Sequence, residues 1–122
     1  MNKYFRAFST PAAVTETTLY TVPTANTAIV RSLRATNQNA GSAVVSVYYY
    51  LSEAPATQRL LVSQTLATGI TVELLNNAAS GSDFHRGGST APVVFTAGDV
   101  IKVYSTVVSA EFLMSYLEID RT

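Results

Sequence analysis

The chain has 122 residues, enough for one domain with a single hydrophobic core, and its lack of cysteine excludes disulfides and thiolate metal sites. Charged residues make up 13% of the sequence, against about 25% in ordinary soluble domains, and eight basic residues balance eight acidic ones. This composition argues against disorder and against a basic surface for nucleic acid or anionic membrane, and it favours a surface covered by neighbouring proteins.

Segments rich in Thr, Val, Tyr and Ile alternate with turn residues along the chain, which predicts short β-strands. The predicted strands are Lys3–Phe8, Ala13–Val22, Ala28–Thr36, Ser42–Leu51, Arg59–Leu66, Gly69–Leu75, Pro92–Phe95, Val100–Val108 and Glu111–Ile119. Because no helical crossover separates them, we expect antiparallel pairing. The predicted fold class is all-β, an antiparallel two-sheet β-sandwich of about eight strands with a jelly-roll or similar Greek-key topology.

The predicted organisation is one β-sandwich domain over residues 13–122, with a long polar loop over 76–91. Residues 1–12 precede it as an N-terminal segment that is either an arm reaching a neighbour or an ordinary edge strand. Residues 58–66 and 110–117 also fit a helical stripe, but they lack a capping box and their neighbours are β-rich, which favours strands.

Strict alternation divides the side chains of Ser42–Leu51 between two faces. The face predicted to meet the core carries Ala43, Val45, Val47, Tyr49 and Leu51. The opposite face carries Val44, Ser46, Tyr48, Tyr50 and Ser52. In Arg59–Leu66 the same alternation places Leu60, Val62 and Leu66 on one side.

A search for catalytic chemistry finds no residue set that fits. His85 is the single histidine, and its Asp-x-His pair with Asp83 could bind a metal or act as a base, but a Gly/Ser-rich loop tolerates such residues freely. The runs 80–82 and 87–89 of the same loop lack the strand–turn–helix setting that a nucleophile requires. The acidic residues show neither calcium-loop spacing nor a pair placed for glycoside hydrolysis, and Glu118 and Asp120 are expected to face solvent or a neighbouring subunit. We therefore expect no enzyme activity, no metal site and no cofactor.

Three aromatic features are candidates for protein contacts. They are the tyrosine run in the fourth strand, the aromatic N-terminal segment and the tip of the long loop. The candidate interface residues are Tyr4, Phe5, Arg6, Phe8, Tyr48, Tyr50, Phe84, His85 and Arg86. The alternatives stay open: Tyr48 and Tyr50 could pack beneath a loop or form a sugar-binding platform, and the loop could be a tolerated insertion.

Four stretches resemble small bacteriophage virion structural proteins, of the capsid decoration, cement or tail accessory type. They are Thr18–Pro23, Thr27–Asn37, the turn and strand Ala97–Val103, and the closing Leu117–Ile119. The resemblance spans Thr18 to Asp120 loosely and leaves out the N-terminal segment and the long loop. It implies a β-sandwich subunit present in many copies on a virion, and it brings no catalytic residues with it.

The resemblance makes a capsid decoration or cement subunit the leading hypothesis. Its expected partners are itself, as a trimer or other symmetric homo-oligomer, and other virion proteins such as the major capsid protein, but neither nucleic acid nor a membrane. A tail, neck or baseplate subunit is the second hypothesis, and a carbohydrate-binding module using surface tyrosines is the third. Since the first residues lack the apolar stretch of a cleaved signal peptide, we expect assembly in the host cytoplasm into the virion.

Overall fold

The computed structural model describes residues 3–76 and 93–120, and within them the chain forms nine strands and one short 3₁₀ helix. The strands are β1 (Lys3–Ser9), β2 (Thr17–Thr21), β3 (Asn26–Asn37), β4 (Ala43–Tyr50), β5 (Arg59–Leu66), β6 (Thr71–Glu73), β7 (Val93–Thr96), β8 (Val100–Ser105) and β9 (Ala110–Asp120). The 3₁₀ helix, Leu74–Asn76, follows β6 directly. The all-β prediction is confirmed, and both segments with a competing helical pattern are strands.

Two antiparallel sheets form a sandwich. The first sheet has the order β1-β9-β3-β6, and the second has the order β2-β8-β4-β5. Strand β7 also belongs to the first sheet, where β6 and β7 pair with different parts of the same edge of β3. The pairs are nested: β4 with β5 is innermost, β3 pairs with β6 and β7, β2 pairs with β8, and β1 pairs with β9 outermost. A long hairpin wrapped in this way is a jelly roll, one of the Greek-key topologies that the strand pattern allowed.

The core lies between the sheets and is built from alternate residues of each strand. Its largest fully buried side chains are Phe112, Leu33, Leu66, Leu74, Leu75, Ile101 and Met114. In β4 the predicted core face is confirmed, because Ala43, Val45 and Val47 are buried and Tyr49 packs against them. No helix among the described residues is long and apolar enough to cross a membrane.

A β-bulge in β5 makes one predicted face wrong. Val47 pairs with Val62, but the next residue of β4, Tyr48, pairs with Leu60, so Leu61 is an extra residue in the ladder. As a result Leu61 is 7% exposed and Leu60 is 58% exposed, although alternation placed Leu60 with Val62 and Leu66. A bulge changes which face a side chain takes, and alternation alone cannot reveal it.

Several strand bounds also differ from the prediction. The predicted Ala13–Val22 shortens to β2 because residues 13 and 14 form a turn in which Val14 has a positive φ of 56°. Gly69–Leu75 ends at Glu73, where the 3₁₀ helix begins, and Val100–Val108 ends at Ser105. Of the predicted loop 76–91, all but its first residue lies outside the described part of the chain.

A buried carboxylate organises the turn between β7 and β8. Asp99 is 4% exposed and accepts hydrogen bonds from the backbone N–H groups of Thr96 and Ser52, both at 2.8 Å. Gly98 adopts a φ of 87°, and a Cβ there would lie 2.9 Å from the Cβ of Ser52. The turn therefore needs glycine for both its backbone angle and its close approach to Ser52.

Candidate interaction surfaces

Strand β1 ends the first sheet, and its outer edge pairs with no strand within the described residues. Because directly opposed residues of an antiparallel pair share a face, the register with β9 fixes where each β1 side chain points. Tyr4, Arg6 and Phe8 point to the outer face of the sheet, and Tyr4 and Phe8 are 71% and 61% exposed. Phe5 points to the inner face and stacks on Tyr116, with ring centroids 5.7 Å apart.

A row of apolar side chains crosses the outer face of the first sheet. Val94 of β7 pairs with Ile29 of β3, Ile29 pairs with Leu117 of β9, and Leu117 pairs with Tyr4 of β1. Val94 and Tyr4 are exposed at the two ends, and Ile29 and Leu117 are half-buried between them. We call these four residues the apolar row.

A second row lies further along the strands and is half polar. It runs from Glu73 through Arg34 and Leu113 to Phe8. Glu73 lies 3.5 Å from the Arg34 guanidinium and also accepts hydrogen bonds from the Ser32 hydroxyl at 2.5 Å and the Leu33 N–H at 2.7 Å. At one end of this row the Glu73 carboxylate thus has partners within the chain. The other end, formed by Leu113 and Phe8, is apolar and exposed.

A polar contact closes the sandwich where β1 and β2 lie side by side. Glu118 of β9 accepts hydrogen bonds from the Tyr20 phenol at 2.5 Å and from the Asn26 amide at 2.8 Å. Tyr116 lies between Phe5 and Tyr20, and its ring centroid is 4.3 Å from that of Tyr20. Glu118 therefore faces the other sheet, and the expectation that it faces solvent or a neighbour is wrong.

Burial and the Glu118 carboxylate act together on the two phenols. Burial is the largest cause that raises the pKa of Tyr20 far above its usual value, followed by the hydrogen bond to Glu118 and the negative charge of Glu118. The pKa of Tyr116 is also raised, first by burial and then by the Glu118 charge. Both rings therefore stay protonated well above neutral pH and act as structural hydrogen-bonding groups.

The second sheet carries Tyr48 and Tyr50 on its outer face, as alternation predicts, and both are half-buried. Tyr50 donates a hydrogen bond to Glu16, which is the largest cause that raises the pKa of its phenol. The Nζ atom of Lys102 lies 4.8 Å from the centre of the Tyr50 ring. One face and the hydroxyl of Tyr50 are thus already engaged, which leaves Tyr48 as the freer of the two rings.

The structure does not bring the predicted contact residues together on one surface. Tyr4, Arg6 and Phe8 share the outer face of the first sheet, whereas Tyr48 and Tyr50 lie on the second. Phe84, His85 and Arg86 lie outside the described residues. Sequence reasoning missed Ile29, Leu117 and Val94, because their relation to Tyr4 arises only from pairing across the sheet.

Histidine, aspartate and glutamate do not cluster in a way that could hold a metal ion anywhere in residues 3–76 and 93–120. Polar groups near the candidate surfaces have structural partners instead, as Glu73 and Glu118 illustrate.

No protein-family model matches the sequence, and no curated protein matches it. Among solved structures, the chain is similar to one from Bacillus endospore appendages, which are described as a novel family of disulfide-linked pili. That match has a TM-score of 0.55 and 12% identity, and it covers 100% of this chain and 88% of the other. A chain from infectious bursal disease virus Gx strain matches with a TM-score of 0.40 and 11% identity, over 97% of this chain and 29% of that one. At such identities the appendage match shows a shared fold.

Proposed function

We propose that this chain is a non-catalytic structural subunit of a bacteriophage particle, most specifically a capsid decoration or cement subunit. It stabilises the particle through protein–protein contacts with copies of itself and with other virion proteins. The observation that carries the proposal is the apolar row, which crosses a whole sheet and ends in the exposed side chains of Tyr4 and Val94.

The size of this face suits a stable interface. The five strands of this face hold 37 residues in all, and at about 3.3 Å per residue and about 4.8 Å between strands they give a face of roughly 600 Å². A typical stable interface buries about 800 Å² on each partner. One sheet face of this molecule can therefore supply most of such a contact, and the exposed edge of β1 can add to it.

Composition supports the same proposal. The chain has no net charge to keep copies apart, and 13% charged residues leave much of the surface to Thr, Ser, Asn and apolar side chains. Such a surface suits a subunit held among neighbours, where each contact is weak but many copies act together on a symmetric lattice.

The experiment compares phage particles made with and without the gene, heated stepwise until they release their DNA. We expect particles without the protein to release DNA at a lower temperature, and wild-type protein supplied in trans to restore resistance. The double variant Tyr4→Ser/Phe8→Ser should restore it poorly, whereas the matched control Leu60→Ser, an exposed apolar residue on the opposite sheet, should restore it fully. Equal heat resistance with and without the gene would remove the cement role.

A second candidate is a tail, neck or baseplate subunit. It is favoured by the shared fold with a chain from Bacillus appendages that form disulfide-linked pili, since that fold builds a filament there. This chain has no cysteine, so its own residues would have to hold such an assembly together without disulfides. Position in an electron-microscopy map of the intact particle separates the two candidates, with density on capsid faces supporting the first and density along the tail the second.

A further inference from the structure

We infer that β1 exchanges between copies of this chain, so that β1 of one copy pairs with β9 of another. The inference rests on the proposed self-assembly of the subunit and names the segment that carries it. Three observations support it, namely the contacts that hold β1, the strain in the connection that follows it, and the length of that connection.

The contacts that hold β1 are almost all with one strand. Five of its seven residues are exposed, and Ala7 is its one residue packed against the core. The rest of its attachment is the ladder with β9, the stacking of Phe5 on Tyr116 and a smaller contact with β2. Because a second copy offers the same β9 ladder, the same ring, the same core contact and the same β2, exchange loses none of these interactions.

The connection between β1 and β2 contains a strained residue, Val14. Pro11 is buried, and the next residues, Ala12 to Thr15, form a tight turn in which the Thr15 N–H donates to the Ala12 carbonyl. Within that turn Val14 has a φ of 56°, a region that β-branched residues strongly avoid, and its side chain is 66% exposed. A short connection under strain favours the exchanged form, in which it can extend.

The geometry permits the exchange. If Pro11 moves together with β1, the four residues from Ala12 to Thr15 form the hinge and span about 13 Å when extended. That length reaches an adjacent copy in contact at this end of the sandwich. The exchanged and closed forms then differ only in the hinge, where extension relieves the strain at Val14 but breaks the 2.8 Å hydrogen bond from the Val14 N–H to the Ser105 carbonyl. A rising total protein concentration favours the exchanged form further.

The test uses cysteine pairs, which report directly because the chain has none of its own. Arg6 and Ser115 are paired on the outer face, at a spacing that fits a disulfide. One chain carrying Arg6→Cys is mixed with another carrying Ser115→Cys, and both are unfolded together, refolded at high concentration and mildly oxidised. We expect mass spectrometry to find a disulfide joining positions 6 and 115 of different chains.

Two controls make the result decisive. The double variant in a single chain, refolded dilute, must form the internal disulfide, which shows that the pair is competent to oxidise. Arg6→Cys mixed with Leu60→Cys, which lies on the opposite sheet, must give no comparable link. If the double variant forms its internal disulfide but the mixed chains never form a disulfide between positions 6 and 115, the proposed exchange of β1 is wrong. The proposed structural role is tested separately by the particle experiment.

A hinge variant tests the source of the driving force. Val14→Asn places a residue that tolerates positive φ in the turn, whereas Val14→Ile keeps a β-branched one. We expect Val14→Asn to lower the association constant of the exchanged oligomer about tenfold per hinge, and Val14→Ile to leave it unchanged. Equal association constants for both variants would overturn the role of strain.

Discussion

The phenol of Tyr20 on β2 donates a hydrogen bond of 2.5 Å to the carboxylate of Glu118 on β9, joining the two sheets between residues 98 positions apart. Asn26 donates to the other oxygen of the same carboxylate at 2.8 Å. The contact lies beside the ring of Tyr116, on which Phe5 of the edge strand stacks. Glu118 therefore links β2 of the second sheet to the start of β3 by hydrogen bonds, and it lies beside the Tyr116 ring on which β1 packs.

Replacing Glu118 by Gln should lower the free energy of unfolding by about 2 kcal/mol, because the amide loses the charge and can accept from only one of its two donors. Chemical denaturation followed by circular dichroism measures the change. Glu53→Gln, in an exposed turn, serves as the matched control and should change stability by less than about 0.5 kcal/mol. Equal unfolding midpoints for the two variants would contradict the structural role of Glu118.

Stability should fall as pH rises above about 10, and Tyr20 should contribute to that fall. Its pKa is raised in the folded state above the ordinary value of 10.0, so the folded protein retains a proton that the unfolded chain releases. The contribution of Tyr20 is complete below pH 10 and is lost as pH rises beyond it. Unfolding measured between about pH 8 and 11 should show a shallower decline for Tyr20→Phe than for the wild type. Identical slopes would contradict this assignment.

Asp99→Ala should destabilise the protein by about 2 kcal/mol or more, since it leaves the N–H groups of Thr96 and Ser52 without their acceptor. The matched control is Ser52→Ala, which removes a hydroxyl but keeps the backbone N–H that Asp99 binds. That variant should unfold close to the wild type in urea. A large loss with Ser52→Ala and none with Asp99→Ala would show that the carboxylate does not organise this turn.

The bulge in β5 gives a prediction opposite to simple alternation. Leu61→Ala should lower the free energy of unfolding by about 2–4 kcal/mol because it empties a buried site, whereas Leu60→Ala should cost less than about 1 kcal/mol. The two neighbouring variants are controls for each other in the same denaturation experiment. If Leu60→Ala proved the more damaging, the register of β4 with β5 would be wrong.

Much of the fold could be predicted from local pattern. Alternation found β3, β4, β5 and β9 to within two residues, because a strand buried on one face repeats every second residue. It failed where the backbone departs from the regular strand. The extra residue Leu61 reverses a face, Val14 turns the chain before β2, and the 3₁₀ helix replaces the end of a strand.

The candidate surface could be predicted only in part, since it depends on which strands become neighbours. The exposure of Tyr4 and Phe8 fits the expectation for an aromatic edge strand. Their joining to Leu117, Ile29 and Val94 depends on register across four strands, which no local signal specifies. For the same reason the contact between Tyr20 and Glu118 could not be found from sequence.

The nested strand order has a consequence for how the chain is made in the cell. Of the nine described strands, β1 leaves the ribosome first and its neighbour β9 last, although Lys3 pairs with Glu118. The closing step must therefore bring together nearly the two extremes of the described chain, which makes it entropically expensive and slow. Until β9 emerges, β1 has no partner strand within its own chain. A copy translated nearby whose β9 has already emerged is therefore the first chain able to pair with it.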